Sequence, residues 1–453
     1  MNYFKRIQKR VNDYRESRHL SDDPLVADLQ KALELDRVLE NLDERILYSK
    51  DESVFEGGIA GPVCFPITTS EVQTIMKIAE KHNRHVIPRG AGSGLAGGAI
   101  PLGAPIVIAM TKMNNVLEVD IENRIAWVEP GVINLELSDY LKPFGFHYAP
   151  DPSSQQICTL GGNVANNSGG PHCLADGVTD THVLALEVVL PSGDVTTFGG
   201  LDAEPTGLDL RGAFIGSEGT LGITTKIAVR LTPNPEDVQT LLISFPSMRK
   251  AAETVSAIIA DGIVPAAMEA MDQKTIEVIE KHIPSGYPTD AGAVLLVEVE
   301  GLVDGVEIEA LRIGEIAENY DASDIKIAQT SYQRDALWKG RKSAFGASTY
   351  LAPNYYLHDT VVPRSELADV LDKVNDLADK NNLTIMNVFH AGDGNLHPLL
   401  VFDASEEGTL ERVHQVAAEI VKVSLEAGGV LSGEHGIGTV SYTHLRAHET
   451  SAY

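Results

Sequence analysis

The chain has 453 residues, 43% hydrophobic and 22% charged, a make-up that fits a globular protein long enough for two cores. Its formal charge of −28 argues against nucleic acid and anionic lipid as partners, because both demand clustered lysine and arginine. No apolar run reaches the roughly 20 residues of a spanning helix, and Cys64, Cys158 and Cys173 form no CxxC pair, so neither a disulfide frame nor an iron–sulfur site is expected on this chain.

The basic start, MNYFKRIQKRVNDYRESRHL, lacks the apolar stretch of a secretory signal and reads as a surface helix. A cytoplasmic location follows as the expectation, with any membrane association made through a partner. Residues 1–47 read as a helical segment, with Leu25, Leu29, Leu33 and then Val38 and Leu42 at helix-like spacings. Over residues 48–233 short β-branched runs, such as 124–128 and 183–190, alternate with Gly, Pro and Asn clusters, which predicts a strand-rich α+β domain with many loops. Pro233-Asn234-Pro235 reads as a linker. Over residues 234–430, helices expected at 248–260, 306–319 and 365–380 alternate with strands at 240–244, 293–299 and 384–390. That alternation predicts an α/β domain with an antiparallel sheet covered by helices.

Residues 431–453 read as the start of a return segment that breaks off. After Gly-Glu-His-Gly-Ile-Gly-Thr the chain continues VSYTHLRAHETSAY, which has no apolar periodicity and resembles the read-through ends of assembled environmental sequences.

Three glycine-rich segments fall in the first domain. The first, Arg89-Gly90-Ala91-Gly92-Ser93-Gly94-Leu95-Ala96-Gly97, formally contains G-x-G-x-x-G. A Rossmann site needs a helix directly after that loop to receive the pyrophosphate, and Pro101, Gly103 and Pro105 follow instead, so the Rossmann reading fails. The use of the glycines survives, since residues without Cβ let backbone N–H groups approach phosphate oxygens. The second segment runs from Thr159 through Gly162, Asn163, Asn166, Ser168 and Gly169, preceded by Asp151 and Ser153 and followed by Gly177 and Thr179. The third is Gly216-Ser217-Glu218-Gly219-Thr220-Leu221-Gly222-Ile223.

In this order the three segments resemble the FAD-binding domain of the vanillyl-alcohol oxidase superfamily, the PCMH fold. The resemblance implies that Arg89, Gly90, Ala91, Gly92, Ser93, Gly94 and Leu95 hold the pyrophosphate and flavin. It implies the same of Asp151, Ser153, Thr159, Gly162, Asn163, Asn166, Ser168, Gly169, Gly177 and Thr179. Glu218, Gly222 and Ile223 would lie toward the adenine. Some relatives attach the flavin through a histidine in the first loop; residues 89–98 contain none, so a non-covalent FAD is expected.

In the second domain, residues 384–402 read as strand, tight turn, strand. With Asp393-Gly394 at the centre of a two-residue turn, His390 would face His397 with Cβ atoms about 5 Å apart, close enough to chelate one ion. Glu434-His435, flanked by glycines, adds a carboxylate and a third imidazole.

His390-x6-His397 with Glu434-His435 is similar to the D-2-hydroxyacid dehydrogenase group, which includes glycolate oxidase large subunits, D-lactate dehydrogenases and D-2-hydroxyglutarate dehydrogenases. The resemblance implies that His390, His397 and Glu434 bind a divalent metal, zinc in first place with manganese or iron as alternatives, and that His435 is the catalytic base. It gives Arg341, in Trp338-Lys339-Gly340-Arg341, the substrate carboxylate, and Asn395 a place at the substrate. Leu357 stands where hydroxyglutarate enzymes tend to carry lysine, which favours glycolate or D-lactate. The expected reaction is oxidation of the 2-hydroxy acid to the 2-oxo acid. The electron acceptor is left open among an iron–sulfur subunit, quinone, cytochrome, electron-transfer flavoprotein and oxygen. Two rivals compete with this reading. An iron(II) oxygenase would use the metal triad but leave all three flavin segments unused, and a flavin-carrying subunit without its own chemistry would leave the histidines and Arg341 unused. The group's usual ending, a helix and an FDP…LNPGK-like motif, does not follow Glu-His-Gly here.

Overall fold

The computed structural model describes residues 20, 23–53, 55, 57–201 and 207–438. Residues 1–19 of the expected N-terminal helix and the tail 440–453 lie outside them. The chain divides into two units. One comprises the described residues up to Ser168, Val178–Pro233 and the stretch beginning at His435; the other comprises Gly169–Gly177 and Asn234–Glu434.

In the first unit, Asp23 caps the Pro24–Ala32 helix, which buries Leu25, Val26 and Leu29. The regular helix stops there, and short helical turns follow at Leu35–Arg37, Leu42–Arg45 and Ile46–Tyr48. Val38 sits in a two-residue strand paired with Cys64, while Leu35, Ile46 and Leu47 are exposed. The expected continuous helix is therefore broken at Val38, while Leu42 opens a separate short helix over Leu42–Arg45. A four-stranded sheet orders Val38–Leu39, Val63–Cys64, Ile106–Ala109 and Val86–Arg89, the last three parallel. The Thr69–Lys81 helix contributes Val72 and Ile75 to the same core, with Ile106, Ile108 and Val189. A five-stranded antiparallel sheet orders Val116–Asp120, Ile125–Val128, Ile223–Arg230, Val183–Val189 and Val195–Gly199. Its apolar face packs on Leu137, Leu141, Leu160 and Val164.

The glycine-rich Thr159–Gly170 stretch contains a helix over Leu160–Asn166. Thr159 caps it by accepting from the amide of Gly162, and Asn167 ends it in the left-handed region at φ 52°. Its small residues let the helix lie close to the neighbouring chain, since a Cβ at Gly161 would stand 2.6 Å from Pro130 Cβ.

The second unit is built on a nine-stranded sheet whose pairings are all antiparallel. Along its main path lie Asp324–Ile327, Asp237–Phe245, Ala293–Gly301, Ala267–Asp272, Thr384–His390, Asn395–Leu396 and Thr360–Val361. Helices Met248–Ala260, Val303–Asn319 and Leu367–Lys380 pack through amphipathic faces, and a core around Met271, Ile276, Trp338 and Met386 fills the unit. No described helix is long and apolar enough to cross a membrane.

Candidate functional site

The first glycine segment leaves the Val86–Arg89 strand and continues without a helix, as the exclusion of a Rossmann site requires. It meets the other two segments of its unit through missing side chains. A Cβ on Gly90 would stand 2.4 Å from Thr159 Oγ1, one on Gly94 would lie 3.7 Å from Asn166 Nδ2, and one on Gly98 would lie 3.3 Å from Glu218 Oε2. Gly92 takes φ +78°, open to glycine without strain. Among the described residues, no backbone N–H of residues 91–95 donates within the protein, and all five residues are partly or fully exposed. A loop of unsatisfied amides is a fit partner for a pyrophosphate, which accepts several such bonds at once.

The remaining residues expected at the cofactor divide. Asn166 Nδ2 donates to the carbonyl of His435 at 3.1 Å. Both oxygens of Glu218 accept amides of the chain's late segment, from Ile437 at 2.7 Å and from Gly438 at 2.9 Å, so that carboxylate braces the backbone beyond His435. Asn163 is buried against Asn134 and Cys158, Thr179 Oγ1 donates to the Ser168 carbonyl, and the Ile223 side chain lies in the core. A Cβ at Gly222 would meet Val188 at 2.8 Å, so this glycine serves packing. Asp151 is half-buried and Ser153 exposed. Gly169 and Gly177 bound the short segment that belongs to the second unit. There His172 Nε2 lies 3.3 Å from Glu298 Oε1, and its ring sits 5.5 Å from that of Trp338.

In the second unit the two histidines meet, but not as direct cross-strand partners. His390 pairs with Asn395, closing a four-residue connection over 391–394, and Asn387 pairs with Pro398. Only Gly394 has positive φ in that connection, whereas the two-residue turn most favoured in hairpins needs positive φ at both central residues, so the register moves by two. A shift of two preserves the face. His397 therefore stays on the side of His390, and the rings stand 5.0 Å apart and nearly perpendicular.

Glu434 completes the group. Its Oε1 lies 3.1 Å from His390 Nε2 and 3.3 Å from His397 Nε2, and one ligand atom from each residue falls within 4.8 Å of the others. The Asp359 carboxylate holds this residue in place by accepting from Ser432 Oγ and from the amides of Gly433 and Glu434. Each imidazole presents Nε2 because its Nδ1 faces an acceptor, Glu269 Oε1 at 2.7 Å for His390 and the His358 carbonyl at 3.1 Å for His397.

The electrostatics suit a cation. Burial pushes the His390 imidazole down, but the Glu269 and Glu434 carboxylates outweigh it and carry the group up to about 10. Burial, opposed by His390, pushes the Asp393 carboxyl up to about 6. Two buried imidazole nitrogens, one carboxylate oxygen and an excess of negative charge form a donor set that fits zinc or manganese.

Arg341 lies on the Ser331–Lys342 helix and is 1% exposed. Its Nη2 stands 2.5 Å from Glu269 Oε2, yet the approach is not aligned as a hydrogen bond. Nε, Nη1 and Nη2 thus lack hydrogen-bond partners among the described residues, an arrangement ready to receive a carboxylate. Asn395 Oδ1 is likewise buried without a partner. Glu269 escaped the sequence reading. Its one signal was a carboxylate inside the apolar run Ala266-Ala267-Met268-Glu269-Ala270-Met271.

Comparison with known proteins matches residues 61–199 to a family described as "FAD binding domain" and residues 234–451 to "FAD linked oxidases, C-terminal domain". The chain is 42% identical to glycolate oxidase subunit GlcD of Escherichia coli (strain K12) over 376 residues, 83% of this chain and 75% of the relative. It is 42% identical to the Bacillus subtilis (strain 168) protein of that name over 411 residues, covering 90% and 87%. A D-lactate dehydrogenase of Anaerostipes hadrus is 33% identical over 410 residues, covering 86% and 84%. Among solved structures, 4-ethylphenol oxidase from Gulosibacter chungangensis aligns with a TM-score of 0.76 at 17% identity, covering 94% of this chain and 93% of that one. p-Cresol methylhydroxylase aligns at 0.73 and 17%, covering 92% and 89%, so the fold is shared with that group.

Proposed function

The chain belongs to the FAD-linked oxidases, in the group of the glycolate oxidase subunit and D-lactate dehydrogenases, and we propose that it oxidises glycolate or D-lactate at a divalent-cation centre. The observation that carries this reading is the convergence of His390, His397 and Glu434, with Arg341 joined to the same cluster through Glu269.

In this reading the amides of residues 91–95 receive the pyrophosphate of a non-covalent FAD, and Arg341, whose Nη2 is ion-paired with Glu269, turns its remaining guanidinium nitrogens to the substrate carboxylate. His390, His397 and Glu434 hold the cation, and Asn395 offers its free carbonyl oxygen to the substrate. His435, next in sequence to Glu434, accepts the proton of the 2-hydroxyl as a neutral imidazole. Bound FAD would supply a hydride acceptor for C2, and a cation held by His390, His397 and Glu434 would supply Lewis acidity toward the hydroxyl oxygen. The half-buried side chain of Leu357, packed on the second unit's core, supports a monocarboxylate over a dicarboxylate, because it offers no positive charge to a second carboxyl group.

Steady-state turnover of the purified protein with an artificial dye acceptor tests the substrate. We expect glycolate or D-lactate to be oxidised with kcat/KM at least about tenfold above D-2-hydroxyglutarate, a difference of about 1.4 kcal/mol. A clear preference for the dicarboxylate would contradict the reading.

A further inference from the structure

Glu269 is a fully buried carboxylate in the apolar Ala267–Asp272 strand, where an unpaired charge would be prohibitive. The strand pairing sets Glu269 directly across from His390, so both side chains lie on one face of the sheet. Its two oxygens are divided between two tasks. Oε1 lies 2.7 Å from His390 Nδ1, and Oε2 lies 2.5 Å from Arg341 Nη2. The other imidazole of the cluster has the neutral carbonyl of His358 at 3.1 Å from its Nδ1, with the nearest carboxylate oxygen, Asp359 Oδ1, farther off at 3.7 Å.

Resting on the cation reading given above, we propose that Glu269 is a positioning residue that couples the cation centre to the carboxylate anchor. One oxygen holds the Nδ1–H tautomer of His390 and so turns the Nε2 lone pair toward the cation. The other oxygen fixes the guanidinium of Arg341. The negative charge reaching His390 strengthens it as a ligand, an effect worth about tenfold to a hundredfold in cation affinity where such acceptors are removed. The Arg341 cation shares that charge and moderates it. Cation affinity and carboxylate binding are thus linked through one side chain, and linkage acts in both directions.

The experiment compares the wild-type holoprotein with Arg341→Met and with the double variant Glu269→Met/Arg341→Met. The double variant removes both buried charges together, since Glu269→Met alone would strand the guanidinium in the core. Each metal-free protein is titrated with Mn2+ while free Mn2+ is followed by electron paramagnetic resonance. Long-range 1H–15N spectra of the same proteins loaded with diamagnetic Zn2+ read which His390 nitrogen keeps its proton. We expect Arg341→Met to bind Mn2+ at least as tightly as wild type and to keep the Nδ1–H tautomer. The double variant should bind about tenfold to a hundredfold more weakly and show both tautomers. Equal affinity in the two variants, or an unchanged tautomer in the double variant, would overturn the role of Glu269 alone. A wild-type protein that binds no Mn2+ would overturn the cation reading, and this inference with it.

Discussion

The two units build their candidate sites from different materials. In the first, the groups offered to a ligand belong to the backbone: glycines that make room, and amides of residues 91–95 that donate to nothing among the described residues. In the second, they are side chains gathered from far apart, with His390 meeting Glu269 across 121 residues and Glu434 across 44. A backbone site depends on local conformation and is damaged by added bulk. A side-chain site depends on sheet register and charge balance, and is damaged by deletion.

The sharpest way to break this contrast is to delete side-chain function, at His435 or in the second set, while the glycine segments keep their cofactor. His435→Ala is expected to lower turnover by about two to four decades, with the flavin spectrum intact. Normal turnover in that variant would remove His435 from the chemistry. Glu434→Ala should give a comparable loss, with the cation stoichiometry falling toward zero by metal analysis and FAD content unchanged.

The converse is an addition to the first set. Gly90→Val would drive a side chain into Thr159 Oγ1, and we expect FAD affinity to fall by about tenfold or more while Mn2+ binding is retained. A Gly90→Val protein that purifies with stoichiometric FAD would refute the cradle.

A smaller effect sharpens the charge-balance side. Glu298 is fully buried and accepts from Arg334, Trp338, Thr240 and His172. Burial works against its charge, but Arg334 and His172 outweigh it and hold the carboxyl well below the usual range. A depressed folded-state pKa contributes stability above the unfolded value of about 4.3, and that contribution is lost as pH falls. Glu298→Gln should therefore cost about 1–3 kcal/mol at pH 7, read from denaturant unfolding, with the gap to wild type closing below about pH 4. A gap that widens in acid would mean that the charge does not stabilise the unit.

The sequence was legible where the signal is local. The 248–260 helix and the 384–390 strand fall where periodicity predicts them, and the flavin segments announce themselves by glycine density. The hairpin shows the limit of that reading. Asp393-Gly394 marked a turn correctly but suggested a register two residues off, and the histidines still met because side-chain direction repeats every second residue. Val38 was misread because two apolar residues at a helical interval carry no information about which face is buried. Glu269 was invisible because nothing near it in the chain names its partners. Its role appears only when the sheet lays it beside His390 and the Ser331–Lys342 helix delivers Arg341.

The central claim, that this chain oxidises a 2-hydroxy acid through FAD with a cation at His390, His397 and Glu434, is tested most directly by the anaerobic visible spectrum of the purified protein. Glycolate and D-lactate are added in turn, with and without prior treatment by a chelator. The account predicts that at least one of them bleaches the flavin band, that chelation prevents the bleaching, and that Mn2+ or Zn2+ restores it. A flavin that bleaches equally well after complete removal of the metal, or one that neither acid reduces, would contradict it.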